Sequence, residues 1–348
     1  MLAESETNMK MVVIDGSSGE GGGQILRTAL AVSMVTGRPF RIKDIREKRK
    51  KPGLLQSHVA MIKAAARLCS AGFDGAALGS GELTFFPGDV VAGDHSFRLP
   101  STVSAGLVLQ TMLPVLSLAK GDSSVVVEGG GSRSGAPPFE FLVKTYLPQI
   151  SKMGPKATLK SEVTPDTQIG VSRFKMTVES ALIFRPVSLV ERGVPMHKSA
   201  MRTVTGLAGH RAGDEVDELE RTIGMASESM RSEKNARAGS VMLEMTYEGI
   251  TEVFTAFAKA GQSSESLAAD AAKQAKRYME SQAAVCEYLG DQLLLPMALA
   301  GSGRFTTTRV SPHARSNMDT IRAFLGVEFW TEPVGDGTWL VEVKRTPV

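Results

Sequence analysis

Glycine most limits how this chain can fold, because its 35 glycines are clustered rather than scattered. A β-like run, Met11–Ile14, leads into the glycine-rich segment Asp15–Gln24, and a helical pattern over Ile25–Val35 follows. A second β-like run, Ser124–Val127, leads into the glycine-rich segment Glu128–Ser132. A strand, a glycine-rich turn and a helix in this order form a β/α module. We predict that the chain uses such a module several times.

Further segments alternate between strand and helix patterns. The predicted strands are Phe40–Ile42, Leu83–Phe86, Ser96–Leu99, Phe174–Val178, Val241–Met245, Glu252–Ala258, Phe305–Val310, Val327–Thr331 and Trp339–Val343. The predicted helices are Leu54–Ser70, Thr102–Ala119, Pro138–Met153, Leu267–Leu289 and Pro312–Leu325. Two helical stretches, Gln110–Pro114 and Gln292–Pro296, repeat each other weakly. This mixture predicts an α/β fold built of α+β layers.

One stretch differs from the rest of the chain. Residues 188–273 contain two strand-like runs and a charged segment, Asp214–Asn235, that predicts a helix. We predict that residues 188–273 form a smaller inserted α/β domain. The flanking residues 1–187 and 274–348 then close into one large domain, a size that suits 348 residues.

Composition excludes several classes of protein. Apolar residues make up 42% of the chain and the net charge is only +3, which excludes disorder as the main state. The most apolar stretch, Leu293–Ala300, falls far short of the roughly 20 residues of a membrane span. The polar segment Met1–Lys10 does not fit a signal peptide. Cys69 and Cys286 lie within apolar patterns and fit a reducing compartment such as the cytoplasm.

The glycine-rich segment Asp15–Gln24 has the layout of a phosphate cradle, in which backbone N–H groups point at the ligand. A carboxylate inside such a cradle repels phosphate, so Glu20 makes sense if a divalent cation bridges the two. The alternative is a tight structural turn with an exposed glutamate. Spacing alone leaves both interpretations open.

The segment Lys43–Lys51 contains six basic and two acidic residues, which gives it a local charge of +4. It could hold a polyphosphate or a nucleic-acid backbone, although such a run is often a solvated loop. His58 follows, beside the apolar stripe of the next predicted helix. It is either a semi-buried structural histidine or a phosphate contact.

His313 carries the sharpest chemical signal in the sequence. Ser311 is a favourable N-cap and Pro312 a favourable first helical residue, so His313 projects from the first turn of a helix. The positive helix end disfavours imidazolium and attracts anions, which favours a nucleophilic ring facing a phosphate. Attack on phosphorus would form a covalent phosphoramidate. The alternative is a histidine that only caps or packs.

Together these segments resemble the RNA 3′-terminal phosphate cyclase family. The matching stretches, which span nearly the whole chain, are Asp15–Arg27, Ile45–His58, Leu107–Gln110, Tyr288–Met297 and the segment around His313. The resemblance implies a large domain of repeated βαβαββ-type units, similar to the C-terminal domain of translation initiation factor three. It also implies a smaller inserted α/β domain.

The resemblance further implies an ATP-dependent reaction. Histidine would capture AMP from ATP, AMP would pass to an RNA 3′-phosphate, and the neighbouring 2′-hydroxyl would close a 2′,3′-cyclic phosphate. The implied partners are ATP, Mg²⁺ or Mn²⁺ and RNA with a 3′-terminal phosphate, with no membrane. The implied location is the cytoplasm, or the nucleus in a eukaryote, and a homodimer is left open.

Roles of individual residues also follow from the resemblance. His313 would be the adenylated nucleophile and Glu20 the metal ligand. The adenosine site would be lined by Gln110, Tyr288, Asp291 and Gln292. The phosphates would be held by Arg27, Arg46, Arg49 and His58.

Two departures from the family pattern keep alternatives open. The usual His-x-x-Thr-Asn reads His313-Ala-Arg-Ser316-Asn317, which retains the hydroxyl. A glycine triplet is replaced by Val163–Gly170, which bears on recognition of the RNA end. One alternative is a non-catalytic, RNA-binding relative that serves ribosome assembly, although such relatives lack the histidine. Another, by fold analogy only, is an enolpyruvyl-type transferase.

Overall fold

The computed structural model describes residues 10–19, 22–100, 103–129, 136–163, 172–204, 212–224, 230–234, 239–259 and 261–347. Strands and helices alternate along the chain, so the predicted α/β class is confirmed. The described strands form four sheets of four strands each. Three of these sheets repeat one topology.

The first module contains two strand–helix pairs followed by a hairpin. Its elements are β1 (Val12–Asp15), α1 (Gly23–Thr36), β2 (Phe40–Lys43), α2 (Gln56–Cys69), β3 (Gly72–Asp74) and β4 (Leu83–Phe86). The sheet order is β1-β2-β4-β3, with β1 and β2 parallel and the other pairs antiparallel. Phe40 and Ile42 on β2 point into the core, while Arg41 and Lys43 alternate outward. This period of two places the helices on one face and leaves the other face to solvent.

The second module repeats this arrangement. Its elements are β5 (Asp94–Leu99), α3 (Ala105–Ser117), β6 (Ser123–Gly129), a π-helical turn (Phe141–Tyr146) continuing as α4 (Leu147–Lys152), β7 (Lys156–Val163) and β8 (Ser172–Glu179). The sheet order, β5-β6-β8-β7, matches that of the first module.

A third module opens with the short strand β9 (Ser188–Leu189) and is then interrupted. The interrupting elements are β10 (Pro195–Val204), α5 (Ala212–Ile223), β11 (Met230–Lys234), β12 (Ser240–Tyr247), β13 (Thr251–Phe257) and α6 (Ser264–Glu280). Their strands form a separate sheet, β11-β10-β12-β13, against which α6 packs.

The third module then resumes and is completed. Its remaining elements are α7 (Glu287–Ala300), β14 (Ser302–Thr307), α8 (Pro312–Phe324), β15 (Val327–Gly335) and β16 (Thr338–Arg345). The sheet order β9-β14-β16-β15 again matches the first module. The predicted insert, residues 188–273, begins at the first residue of β9, which pairs with β14, and it ends within α6, which runs on to Glu280. The division into domains stays a prediction.

The first helices of the three modules meet at the centre of the molecule. Thr28, Gln110 and Gln292 are each the sixth residue of their helix, and the Gln110 side chain donates a hydrogen bond to the Gln292 side chain. The weak repeat that the sequence shows between Gln110–Pro114 and Gln292–Pro296 therefore marks equivalent positions of α3 and α7. This meeting of helices brings residues of all three modules within reach of one site.

Two predicted helices are wrong in extent. The segment Leu267–Leu289 is two helices, because residues between them pair with the third sheet: the Val285 N–H donates to Thr306 O at 3.0 Å. The segment Asp214–Asn235 remains helical only to Ile223. Within it, Met230–Lys234 is the edge strand β11, paired parallel to β10. Among the described helices, none combines the length and the hydropathy that a membrane crossing requires.

Candidate functional site

His313 lies in the first turn of α8, as the sequence predicts. The Ser311 side chain at the N-cap accepts the Ala314 N–H at 3.0 Å, and Pro312 is the first helical residue. The His313 side chain is 36% exposed, so one edge of the ring is open to ligand while the other is held.

Asp291 on α7 holds the inner edge of that ring. Its Oδ2 lies 3.0 Å from His313 Nδ1, and the residue is only 5% exposed. The carboxylate also accepts hydrogen bonds from the Asn317 amide at 3.2 Å and the Gln292 amide at 3.1 Å. A carboxylate accepts, so Nδ1 is the protonated nitrogen and the lone pair of the neutral ring lies on Nε2.

A chain of hydrogen bonds continues from Asn317 into α1. Thr28 donates its hydroxyl to Asn317 Oδ1 at 2.6 Å, and Gln24 donates its amide to Thr28 Oγ1 at 3.0 Å. Arg27 in turn donates to Gln24 Oε1 at 2.5 Å. The network fixes the orientation of the Asn317 amide. Its oxygen accepts from Thr28, so its NH₂ group faces the Asp291 carboxylate.

Arg27 is a half-buried cation in this network. Burial lowers the pKa of its guanidinium to about 10, although the Asp291 carboxylate opposes that shift. The group therefore remains charged at neutral pH. A half-buried guanidinium with five donors is well suited to receive an anionic ligand.

A cavity of about 650 Å³ opens beside His313. Five of the residues that the sequence assigns to the site line it: Arg27, Tyr288, Asp291, Gln292 and His313. A sixth, Gln110, joins the group through its hydrogen bond to Gln292. The facing wall comes from the interrupting sheet and α6, and it includes polar side chains that the sequence did not single out: Thr255, Lys259, Asp270 and Gln274. A volume of this size suits a small-molecule ligand.

The glycine-rich loop lies against the first turn of α8. A side chain on Gly19 would collide with the Ser316 hydroxyl, so only glycine permits this approach. A Cβ atom on Gly23 would lie 2.5 Å from His58 Nε2 and 3.2 Å from an Arg27 nitrogen. Glycine therefore lets His58 and Arg27 approach the start of α1 together. One Arg49 nitrogen would lie 3.7 Å from a Cβ on Gly22, which places Arg49 at the same helix start.

His58 is buried and uncharged at this helix start. Burial, followed by the charges of Arg46 and Arg27, lowers the pKa of its imidazole to about 4. Its Nδ1 accepts the Leu55 N–H at 3.1 Å, so the ring proton lies on Nε2 and faces Gly23. His58 can therefore donate a hydrogen bond to an anion without carrying charge.

Arg46 belongs to the same group of cations. Burial and the nearby charge of Arg49 lower its pKa, and its Nε is buried without a hydrogen-bond partner among the described residues. The metal ligand predicted at Glu20 and the segment 164–170 lie outside the described residues. Within the described ranges, no group of three or more His, Cys, Asp or Glu side chains is placed to hold a metal ion.

Sequence reasoning missed two parts of this site. Gln24 and Thr28 were not recognised as members of the hydrogen-bond network, and Asp291 was not recognised as the partner of His313. The contact between Thr28 and Asn317 joins residues 289 positions apart, and no local pattern reports such a contact.

Comparisons with known proteins agree on one family. A family model described as RNA 3′-terminal phosphate cyclase matches residues 18–331. A protein of that name from Koribacter versatilis is 46% identical over 325 residues, covering 92% of each chain. Another, from Salmonella enteritidis, is 40% identical over 340 residues, covering 96% of this chain and 99% of the relative.

A solved structure is also similar, though too weakly to support an inference. The enolpyruvyl transferase NikO from Streptomyces tendae shares 15% identity and a TM-score of 0.35, covering 96% of this chain and 48% of its own. The sequence relatives, in contrast, match over nearly their whole length. The chain belongs to the RNA 3′-terminal phosphate cyclase family.

Proposed function

We propose that this protein converts an RNA 3′-terminal phosphate into a 2′,3′-cyclic phosphate, using ATP and a covalent histidine–AMP intermediate. The observation that supports this best is the 3.0 Å contact between His313 Nδ1 and the buried Asp291, at the edge of a cavity. It leaves Nε2 as the nucleophilic atom. Family membership supports the overall reaction.

In the first step, His313 Nε2 attacks the α-phosphorus of ATP. A P–N bond forms, the bond from that phosphorus to the bridging oxygen breaks, and pyrophosphate leaves with the bonding electrons. The ring gains positive charge in this step. Asp291 stabilises that charge through the Nδ1–H hydrogen bond, in the way a carboxylate supports a catalytic imidazole.

In the second step, an oxygen of the RNA 3′-phosphate attacks the same phosphorus. The P–N bond breaks, its electron pair returns to Nε2, and a phosphoanhydride joins RNA to AMP. In the third step, the RNA 2′-hydroxyl attacks the 3′-phosphorus, loses its proton and displaces AMP. This last step is intramolecular, so positioning of the RNA end supplies much of the acceleration.

The remaining roles follow the arrangement of the site. We assign adenosine to the cavity residues Tyr288, Asp291 and Gln292, and to Gln110, which donates a hydrogen bond to Gln292. We assign the phosphates to the cations and the neutral donor at the start of α1, namely Arg27, Arg46, Arg49 and His58. We also propose that the protein is located in the cytoplasm, or in the nucleus in a eukaryote. We further propose that each module resembles the C-terminal domain of translation initiation factor three.

Glu20 remains our proposed ligand for Mg²⁺ or Mn²⁺. A cation held there would offset the negative charge of the phosphates, with water and phosphate oxygens completing its coordination.

The test is transfer of label from ATP. The protein is incubated with α-³²P-labelled ATP and Mg²⁺ or Mn²⁺, then denatured. We expect label that is stable to alkali and labile to acid, and that is lost in His313→Ala. His95→Ala, which changes a histidine on β5, is the matched control and should label normally. A wild-type protein that stays unlabelled with either metal would overturn the proposal.

A second candidate is a non-catalytic RNA-binding protein. The exposed lysines of the segment Lys43–Lys51 favour it. It predicts salt-dependent RNA binding that is unchanged in His313→Ala, together with no labelling from ATP.

A further inference from the structure

The basic loop, defined as residues 43–51, has two kinds of cation. Arg46 is partly buried and donates to the Lys51 carbonyl at 3.1 Å, and Lys48 donates to the Ser17 carbonyl at 3.2 Å. Lys50 and Lys51, in contrast, are exposed, and their ammonium groups make no hydrogen bond or ion pair with the described residues. Two cations of this loop are therefore available to a ligand.

Charge is concentrated in this loop. Its net charge is +4, whereas that of the whole chain is +3, so the rest of the protein has a net charge of −1. A local field of this kind attracts a polyanion.

The loop holds its lysines on a fixed backbone. The Ile45 N–H donates to Gly81 O at 2.9 Å, and the Gly53 N–H donates to Ile45 O at 2.7 Å. Asp44 and Arg46 have left-handed φ angles of 52° and 58°, a conformation that non-glycine residues adopt only when their surroundings require it. These contacts hold the two ends of the segment that carries Lys50 and Lys51, and such preorganisation lowers the entropic cost of binding.

The position of the loop relative to His313 limits what it can bind. The Arg46 N–H donates to Gly16 O at 3.4 Å, so the basic loop touches the glycine-rich loop, whose Gly19 in turn touches the first turn of α8. No residue of the basic loop lines the 650 Å³ cavity. Lys50 and Lys51 therefore lie outside the nucleotide cavity, on a loop that contacts the glycine-rich loop beside α8.

We propose that Lys50 and Lys51 bind the phosphate backbone of the RNA strand upstream of its 3′ end. This inference rests on the proposed function, in which the 3′-phosphate must reach AMP on His313 while the rest of the strand lies outside the cavity. A single strand bound without regard to sequence needs a positively charged track beside the site, and these two lysines supply one.

The experiment measures RNA affinity as a function of salt. A 12-nucleotide RNA with a 3′-phosphate is titrated onto the wild type and onto the Lys50→Ala/Lys51→Ala double variant, from 0.1 to 1 M NaCl. Each lost phosphate contact reduces the slope of log K against log [salt] by about 0.7 on a single strand. We expect a reduction of about 1.4, which equals a roughly 25-fold loss of affinity at 0.1 M if the two proteins bind equally at 1 M.

The matched control is another adjacent lysine pair. Lys160 and Lys175 are exposed cross-strand neighbours on the outer face of the second sheet. Lys160→Ala/Lys175→Ala removes the same charge and should leave the slope within about 0.3 of the wild type. An equal reduction in both variants, or an unchanged slope in the Lys50/Lys51 variant, would overturn the proposal.

Two further readouts separate this proposal from the proposed function. RNA takes no part in labelling of the protein by ATP, so the Lys50/Lys51 variant should label at the wild-type rate. Cyclisation of a nucleoside 3′-phosphate, which has no upstream phosphates, should also be unaffected. A wild type that never labels but shows the slope difference would refute the cyclase mechanism and leave the RNA track standing. Loss of labelling in the variant would instead place these lysines in the nucleotide site.

Discussion

His58 and His313 lie at the start of corresponding helices in two copies of the same module, His58 as the third helical residue and His313 as the second. Each lies in the first turn of the module's second helix, His58 in α2 of the first module and His313 in α8 of the third. Their environments differ. The His313 ring is partly exposed and its Nδ1–H donates a hydrogen bond to Asp291, whereas the His58 ring is buried and its Nδ1 accepts the Leu55 N–H.

The difference begins with the residue at the N-cap. Ser311 satisfies the start of α8 with its own hydroxyl, so His313 is free to pair with a carboxylate. Leu55 at the start of α2 has no acceptor, and there the ring of His58 takes the part that a glutamate plays in a capping box. The partner at Nδ1 thus decides whether Nε2 carries a lone pair or a proton. The first turn of the same module helix can therefore supply a nucleophile in one module and an anion donor in the other.

Removing the carboxylate that sets the state of His313 should have the largest effect. In Asp291→Asn, the amide can present an N–H to Nδ1 and favour the tautomer in which Nε2 is protonated. By comparison with the same change in a serine protease triad, we expect the rate of protein adenylation to fall by about 10³- to 10⁴-fold. Single-turnover labelling measures it. Glu287→Gln, the same chemical change one turn earlier on α7, is the control and should slow labelling far less.

A change at His58 should impair labelling without abolishing it. His58→Asn keeps an acceptor near Nδ1 and removes the Nε2–H donor, whereas His58→Gln keeps a donor near Nε2. A hydrogen bond to a charged group contributes about 1.5–3 kcal/mol, so we expect His58→Asn to lower kcat/KM for ATP by about 10- to 100-fold. His58→Gln should retain more activity than His58→Asn. If His58→Asn abolished labelling as fully as His313→Ala, the two histidines would not differ in role.

Stability at acid pH should report the buried state of His58. Its pKa falls from about 6.5 in the unfolded chain to about 4 in the folded one, so between these values the unfolded chain binds the extra proton. Stability is therefore full above pH 6.5 and decreases as pH falls. Between pH 7.5 and pH 5 we expect this histidine to cost the wild type about 2 kcal/mol of unfolding free energy that His58→Asn does not lose. Urea unfolding at the two pH values measures the difference.

Glu252 provides a control of opposite sign for that experiment. It is fully buried, its Oε1 accepts the Cys286 N–H at 2.6 Å, and burial raises its pKa to about 7. The folded protein then holds the extra proton, so stability decreases as pH rises from about 4.5 through 7. Glu252→Gln should therefore gain about 2 kcal/mol relative to the wild type between pH 5 and pH 7.5. Equal signs for the two variants would contradict one of the two assignments.

The sequence predicts some parts of this comparison because their signals are local. Ser311 and Pro312 mark the start of α8 within three residues, and the structure begins the helix there. The glycine-rich loop is also local, since a β-like run, glycines and a helical pattern follow one another. By contrast, Asp291 reaches His313 only because α7 packs against α8, a tertiary contact that no spacing rule contains.

Strand β11 is an element that the sequence predicts wrongly, because its local pattern favours a helix. Its sequence, Met230–Lys234, is polar and charged and continues a helical charge pattern, so local propensity favours a helix. Parallel pairing with β10 at the edge of the sheet overrides that propensity. The tautomers of the two histidines are likewise not set by local secondary-structure propensity. Each depends on one hydrogen-bond partner, and the partner of His313 is fixed by packing between helices.

The smallest effect should come from replacing Ser311, the N-cap residue of the helix that carries His313. Ser311→Ala removes the acceptor for the Ala314 N–H and should cost about 1 kcal/mol of stability. Ser263→Ala, at the N-cap of α6, removes an equivalent bond to the Ser266 N–H and should cost about the same. Only Ser311→Ala should also slow labelling, by a few-fold, because it loosens the turn that carries His313. Equal labelling rates in the two variants would mean that the cap stabilises α8 without orienting the ring, and Asp291 alone would then set its position.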